Sequence, residues 1–85
     1  MEKKSNILPL SKVSEGKKVL VKDIKNAVVK NNLSRVGIFV DNELFVTKKG
    51  WGNSPIALQK DELEIAIRKD IADLIEVEIL NLSNE

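Results

Sequence analysis

Cysteine, histidine and tyrosine are all absent from the 85 residues of this chain. The chain therefore lacks a thiolate nucleophile, the imidazole that usually moves protons near neutral pH, and the nitrogen and sulfur ligands that zinc and ferrous iron favour. Without cysteine no disulfide can form, so one apolar core must stabilise the fold. These absences predict that the protein is not an enzyme and has no resident metal ion or cofactor.

A strong net charge and a long apolar run are also missing. Fourteen Lys and Arg residues face thirteen Asp and Glu residues, so the whole molecule has no field that would draw it to nucleic acid. The longest apolar run, residues 36–40, contains a glycine and is far shorter than the ~20 residues that cross a bilayer. The apolar stretch after Lys3 and Lys4 is too short for a secretory signal. We expect no nucleic-acid partner, no direct membrane insertion and no signal peptide.

Alternation of apolar and polar residues with a period of two is the main structural signal. It predicts five strands, over residues 17–24, 43–47, 56–59, 62–68 and 75–79. A hairpin-length gap at Lys60-Asp61 separates the third and fourth predicted strands. The residues expected to face the core are Val19, Val21, Leu44, Val46, Ile56, Leu58, Leu63, Ile65, Ile67, Ile75, Val77 and Ile79.

A helical period replaces the strand period from Lys25 onward. Val28 or Val29, Leu33 and Val36 fall at helical spacing, and Gly37 stands where a helix end needs positive φ. We expect Leu33 and Val36 to anchor this helix to the barrel. Residues 69–73 have the length of one helical or 3₁₀ turn. We therefore expect a mainly β fold: a small barrel of about five antiparallel strands, one α-helix after the first strand, and a short helical turn before the last. The single domain should span residues 8–80, between tails at 1–7 and 81–85.

Only three aromatic side chains are available for recognition, Phe39, Phe45 and Trp51, which is few for a platform that stacks single-stranded nucleic acid. Trp51 lies in a loop rich in glycine, where it is either a lid over one end of the barrel or an exposed anchor for a partner. Phe45 alternates outward from Leu44 and Val46, so it is either a second exposed contact or packed under the helix.

Carboxylates are the remaining candidates for metal binding. Glu62 and Glu64, Glu76 and Glu78, and Asp70 and Asp73 form close pairs along the chain. Such pairs on half-buried strands are usually a solvated face paired with Lys and Arg. We expect no cofactor and leave open only weak Fe²⁺ contact through these carboxylates.

Three segments of the chain resemble the ferrous iron transport protein A (FeoA) family, and the resemblance covers residues 8 to 79. The most specific is the alternating strand, acidic turn and final strand of residues 63–77; the others are the loop at 52–56 and the helix end at 33–38. They read LEIAIRKDIADLIEV, GNSPI and LSRVGI. The chain departs from the family pattern at Asn32, Val36 and Val40-Asp41.

The resemblance implies an SH3-like barrel that serves as a cytoplasmic accessory protein of ferrous iron uptake. Its partner would be a FeoB-type, GTP-dependent membrane transporter, whose cytosolic side would recruit it to the inner face of the membrane. Two alternatives are an SH3-like interaction module of a metal-responsive regulator and, less favoured, a small nucleic-acid-binding barrel. Weak self-association is expected through an uncovered strand edge or Phe45. The residues expected to contact a partner are Leu33, Arg35, Phe39, Phe45 and Trp51.

Overall fold

A computed structural model describes residues 7–80, so residues 1–6 of the tail expected over 1–7, and the whole tail expected over 81–85, lie outside the described residues. The elements are β1 (Ile7–Pro9), a 3₁₀ turn (Leu10–Lys12), β2 (Lys18–Ile24), α1 (Ala27–Ser34), β3 (Glu43–Lys49), β4 (Ile56–Lys60), β5 (Leu63–Ile67), α2 (Lys69–Ala72) and β6 (Ile75–Ile79). The mainly β fold is confirmed, with the helix after the strand at 18–24 and a helical turn before the last strand. One strand, β1, is additional to the five expected.

All six strands belong to one antiparallel sheet in the order β1-β6-β2-β3-β4-β5. β3, β4 and β5 form a meander, whereas β2 pairs with β6 from the far end of the chain. Two register shifts, one between Val21 and Asp23 in β2 and one between Val46 and Lys48 in β3, mark bulges. Because bulges increase the local twist, they help this sheet to curl around a single core.

The core is apolar and receives side chains from five of the six strands. Its members in the strands are Val19, Val21, Ile24, Leu44, Val46, Ile56, Leu58, Ile67, Ile75 and Val77; Leu10, Val13, Val29, Leu33, Ile38 and Ala72 complete it. The alternation therefore predicts most of the inward face correctly. The one buried polar residue among those described is Ser11, whose hydroxyl donates to the Asp73 carboxylate and so ties the 3₁₀ turn to the end of α2.

The inward prediction is wrong at Leu63, which is 52% exposed. Ile65 is half-buried, and only Ile67 at the far end of β5 reaches the core. β5 is an edge strand that begins at the hairpin turn, so its first residues extend past the side chains that would cover them. Alternation with a period of two predicts which face of the sheet a residue lies on, but it does not predict how far along the strand the core extends.

α1 is shorter than the helical spacing suggests, because caps at both ends stop it. The Asn26 Oδ1 atom accepts the Val29 amide at 3.0 Å and starts the helix. At the other end the Ile38 amide donates to the Leu33 carbonyl at 3.0 Å while Gly37 takes φ +87°, a Schellman turn. Val29 and Leu33 face the core. Val36 lies in the turn and is 42% exposed, so the expectation that it anchors the helix to the barrel is wrong.

The connections use the turn residues expected from the sequence. Asp41, in the turn after the helix, has φ +78°, and Asp61, in the β4–β5 hairpin, has φ +55°. Aspartate tolerates left-handed backbone better than most residues because its short side chain bonds locally. The hairpin turn itself is Asp61-Glu62, one residue later than the expected gap.

Candidate interaction surfaces

The five residues expected to contact a partner do not form one site. Leu33 is 6% exposed and belongs to the core, so its side chain offers little surface. Arg35 is exposed just after α1. Phe39 is 52% exposed, Phe45 38% and Trp51 93%. Three separate surfaces result: one around the end of α1 and Phe39, one on β3 at Phe45, and one at Trp51.

The first surface is a groove between α1 and the turn that follows it, which we call the Phe39 groove. It has a volume of about 320 Å³ and is lined on the helix side by Ala27, Lys30, Asn31 and Ser34, and on the other side by Ile38, Phe39 and Val40. Its floor is apolar where Ile38 enters the core, and its rim carries the Lys30 ammonium and polar helix side chains. The groove can receive an apolar side chain and place a carboxylate near Lys30.

Backbone hydrogen bonds hold Phe39 at the rim of this groove. The Asn42 Oδ1 atom accepts the Phe39 amide at 2.8 Å, and the Asn42 amide donates to the Phe39 carbonyl at 3.1 Å. Two more backbone hydrogen bonds fix this turn to β2. The Asp41 amide donates to the Val21 carbonyl at 2.8 Å, and the Val21 amide donates to the Asn42 carbonyl at 2.9 Å. An exposed phenylalanine on so restrained a turn loses little conformational entropy when a partner covers it.

A second groove runs along the other side of α1, against β5. It has a volume of about 280 Å³, and its apolar wall is formed by Val36, Ile65, Ile71 and Leu33. This surface was not predicted from the sequence, because Val36 was expected to anchor the helix to the barrel. The available signal was Gly37: a Schellman turn there puts the preceding residue outside the regular helix.

Trp51 projects from the loop between β3 and β4, and the alternative of a lid over the barrel is wrong because the side chain is 93% exposed. The loop itself is well braced. The Ser54 amide donates to the Trp51 carbonyl at 3.0 Å, Gly52 takes φ +58°, and the Lys69 ammonium donates to the Gly52 carbonyl at 3.2 Å. The indole is therefore held on a short turn at the surface.

Phe39 and Trp51 lie at opposite ends of β3. The strand has seven residues, which at ~3.3 Å per residue separates its ends by roughly 20 Å. Phe45 lies between them, with Lys18 on β2 and Gln59 on β4 as its register partners. The two aromatic side chains therefore mark opposite ends of the barrel.

The paired carboxylates are engaged with neighbouring cations or hydroxyls. Glu76 lies 3.1 Å from the Lys25 ammonium, Glu78 3.9 Å from that of Lys22, and Glu64 accepts the Thr47 hydroxyl at 3.5 Å. Across residues 7–80 no three carboxylates gather into a group that could hold a metal ion. In the same part of the chain, no helix has both the length and the apolar character needed to cross a membrane.

Comparison with known proteins gives one family and several structural neighbours. The FeoA domain model matches residues 8–79. The iron uptake regulatory protein FeoA is 27% identical over 87% of this chain and 97% of its own, with a TM-score of 0.76. A FeoA-like protein from Clostridium acetobutylicum is 26% identical over 96% of both chains, with a TM-score of 0.81. No curated protein matches the chain in sequence.

A manganese-dependent transcriptional repressor has the same fold in part of a longer chain. It is 20% identical, its TM-score is 0.81, and the match covers 92% of this chain but 44% of the repressor. At that identity the match is evidence of fold alone. Together with the preceding neighbours it confirms the expected SH3-like architecture.

Proposed function

This chain belongs to the FeoA domain family and so takes part in ferrous iron transport, and from that premise we propose that it is a non-catalytic accessory protein. In this proposal it resides in the cytoplasm and binds the cytosolic side of a FeoB-type, GTP-dependent membrane transporter, which recruits it to the inner face of the membrane. The family match over residues 8–79 is the observation that carries the proposal.

The chain's own residues support an accessory role. It has no histidine, cysteine or tyrosine, so any transport of iron or hydrolysis of GTP would have to be performed by side chains of the partner. What the domain does offer is a rigid surface. A protein that offers only a binding surface acts by binding one conformation or assembly of its partner more tightly than another, which shifts the partner's conformational equilibrium.

The Phe39 groove is our proposed docking surface. It combines an exposed aromatic side chain on a braced turn with an apolar floor, the combination that usually dominates binding energy in protein interfaces. Lys30 on the rim and exposed Arg35 at the helix end favour a partner segment that carries a carboxylate beside an apolar side chain. Phe45, near the middle of β3, is not required for this contact.

A heteronuclear NMR titration tests the docking proposal. Isotope-labelled protein is titrated with the cytosolic domain of the cognate transporter, and saturable shifts are expected at residues 27–40. Phe39→Ala should weaken binding at least fivefold, because hot-spot aromatics contribute more than about 1 kcal/mol. Phe45→Ala removes the same side chain from β3 and is the matched control, expected to bind as the wild type does.

Two results would contradict this account. Absence of shifts at high concentrations of the cytosolic domain would remove that domain as the partner. Equal weakening by both phenylalanine variants would move the contact away from the groove. Each variant's amide spectrum shows directly whether the fold survived the substitution.

The alternative of a module from a metal-responsive regulator is favoured by one observation, the shared fold with the manganese-dependent repressor. That likeness is weaker support than the family match, since it concerns fold alone. A pull-down that recovers a DNA-binding protein instead of a membrane transporter would favour the alternative. Self-association through the free edge of β5 stays a prediction, which sedimentation at several concentrations tests.

A further inference from the structure

Trp51 is the most exposed large apolar side chain in the described chain, 93% exposed against 68% for Val28, the next. The barrel does not bury this side chain, and the Phe39 groove lies at the other end of β3. An indole has a broad apolar ring and one N–H donor, a combination that is stable at a boundary between water and an apolar phase. The side chain is therefore suited to a partner that offers such a boundary.

Cations surround the Trp51 loop. Lys48 and Lys49 end β3 immediately before it, and Lys69 donates its ammonium proton to the Gly52 carbonyl within it. Arg68 lines a small groove with Asn53 of the loop. The Lys49 ammonium donates to the Ser11 carbonyl at 2.9 Å, which brings the next residue, Lys12, to the same end of the molecule.

Three carboxylates lie at this end, and each has a partner. Glu15 accepts the Lys49 amide at 2.9 Å, Asp70 pairs with Arg68 at 3.0 Å, and Asp73 accepts the Ser11 hydroxyl. Five basic residues thus face three engaged acidic ones. None of the ion pairs found within residues 7–80 involves Lys12, Lys48, Lys49 or Lys69.

The opposite end of the barrel has no such excess of positive charge. Around the start of β3, the turn before it and the β4–β5 hairpin lie Asp41, Glu43, Asp61 and Glu62, balanced by Lys18 and Lys60 and, beside the Phe39 groove, by Lys30 and Arg35. A chain whose net charge is only +1 therefore has a basic end that carries its most exposed aromatic side chain and an end of balanced charge roughly 20 Å away.

We propose that the Trp51 loop binds an anionic lipid bilayer, with the indole at headgroup level and the surrounding lysines against lipid phosphates. Anionic lipid complements the basic end, whereas the opposite end, where the charges balance, is not attracted to the bilayer. This is peripheral contact by one side chain and does not place any segment in the hydrocarbon. It goes beyond transporter docking, which uses the far end of β3, so both contacts can form at once.

The geometry favours a bilayer over an acidic protein segment. An aromatic anchor for a protein typically lies flush in a surface whose neighbours also become buried, whereas Trp51 stands almost free above polar loop residues. The lysines around it lie on three separate elements, the 3₁₀ turn, β3 and α2, and do not line one groove for a peptide. Cations from several elements beside a protruding indole match a laterally continuous anionic surface.

The full chain contains one tryptophan, so its fluorescence reports on Trp51 alone. Purified protein is mixed with phosphatidylcholine vesicles, with or without about 30 mol % phosphatidylglycerol, an anionic lipid. We expect a blue shift of the emission and co-sedimentation with the anionic vesicles only. Both should be lost in roughly 0.5 M salt, which screens the lysines.

Matched variants separate the contribution of the Trp51 indole from that of the positive charges around it. Trp51→Ala should reduce co-sedimentation roughly tenfold or more, since half-burial of an indole removes on the order of 100 Å² of apolar surface from water. Lys48→Glu should reduce binding at least about fivefold, the effect of one basic residue at an anionic surface. Lys22→Glu makes the same charge change on β2, beside the turn that precedes β3, and should bind as the wild type does.

Failure to bind anionic vesicles at low salt overturns the proposal, and so does unchanged binding of Trp51→Ala. Equal losses from Lys48→Glu and Lys22→Glu would show a nonspecific charge effect and overturn the assigned surface. A blue shift with soluble polyglutamate but not with vesicles would identify an acidic protein partner instead. Far-ultraviolet circular dichroism of each variant confirms that the fold is retained.

Discussion

Gly50 begins the Trp51 loop at a point where the chain passes very close to itself. A Cβ atom built on Gly50 would lie 2.5 Å from the Ser54 Cβ and 2.8 Å from the Ser54 Oγ, whereas the Ser54 Cα is 4.0 Å away. Gly50→Ala should therefore force the loop to open. Crowding of this kind costs about 1–3 kcal/mol, and because the loop is exposed and can shift, we expect the lower half of that range.

The same geometry predicts that a second substitution rescues the first. Ser54→Gly removes both clashing atoms and leaves an ordinary contact at 4.0 Å. Alone it should destabilise by about 0.4–1 kcal/mol, because glycine loosens the unfolded chain. Combined with Gly50→Ala it should return stability close to that of the wild type, which gives a favourable coupling energy of roughly 1.4–3 kcal/mol.

Urea unfolding followed by far-ultraviolet circular dichroism measures these changes. Tryptophan fluorescence is unsuitable, since Trp51 is already 93% exposed in the folded state. Gly16→Ala is the control: Gly16 has φ +85° and no atom within 4 Å of its added Cβ, so alanine strains the backbone there and Ser54→Gly should not rescue it. Wild-type stability of Gly50→Ala, or the absence of rescue, would refute the reasoning.

Two further pairs of substitutions, each a test and its control, probe the core and the helix by the same urea assay. Leu58→Ala should destabilise by about 2–5 kcal/mol because the side chain is fully buried, whereas Leu63→Ala on the next strand, 52% exposed, should cost under roughly 1 kcal/mol; similar losses would mean that the burial is wrongly placed. Asn26→Ala removes the cap of α1 and should cost about 1 kcal/mol. Asn31→Ala, an exposed position inside the helix, should be neutral or stabilising by a few tenths of a kcal/mol, and a loss equal to that of Asn26→Ala would contradict a capping role.

The strands could be predicted from the sequence because successive residues of a half-buried antiparallel sheet alternate between the buried and the exposed face, which gives a period of two. Ile75 and Val77 alternate with Glu76 and Glu78, and both apolar side chains are buried. The short turn at 69–73 and the helix end at Gly37 were equally readable, since positive φ and helix length depend on local chemistry.

Features that depend on distant parts of the chain could not be read in the same way. β1 has three residues, too few to show alternation, and exists because Leu8 pairs with Val77. Leu63 alternates correctly but lies beyond the reach of the core. The choice between a lid and an exposed anchor for Trp51 depended on whether the loop folds inward, and its composition suits either outcome.

The sequence names candidate residues for a partner surface but does not show which of them lie together. Phe39 and Trp51 were considered as apolar contacts of one interface, yet β3 holds them at opposite ends of the barrel. Leu33 satisfied the helical period and therefore belongs to the core. The Phe39 groove arises from the packing of a turn against α1, which no single segment of sequence specifies.

The pairing of β2 with β6 also constrains how the chain can fold. Val21 lies opposite Val77, and Ile7 opposite Glu78, so these ladders must close loops of nearly the whole described chain. Contacts so distant in sequence slow folding, because chain entropy is lost before they form. The β3–β4–β5 meander needs only short connections. During synthesis, β2 must therefore wait with one edge unpaired until the last strand leaves the ribosome, and the order of assembly follows from the order of strands in the sheet.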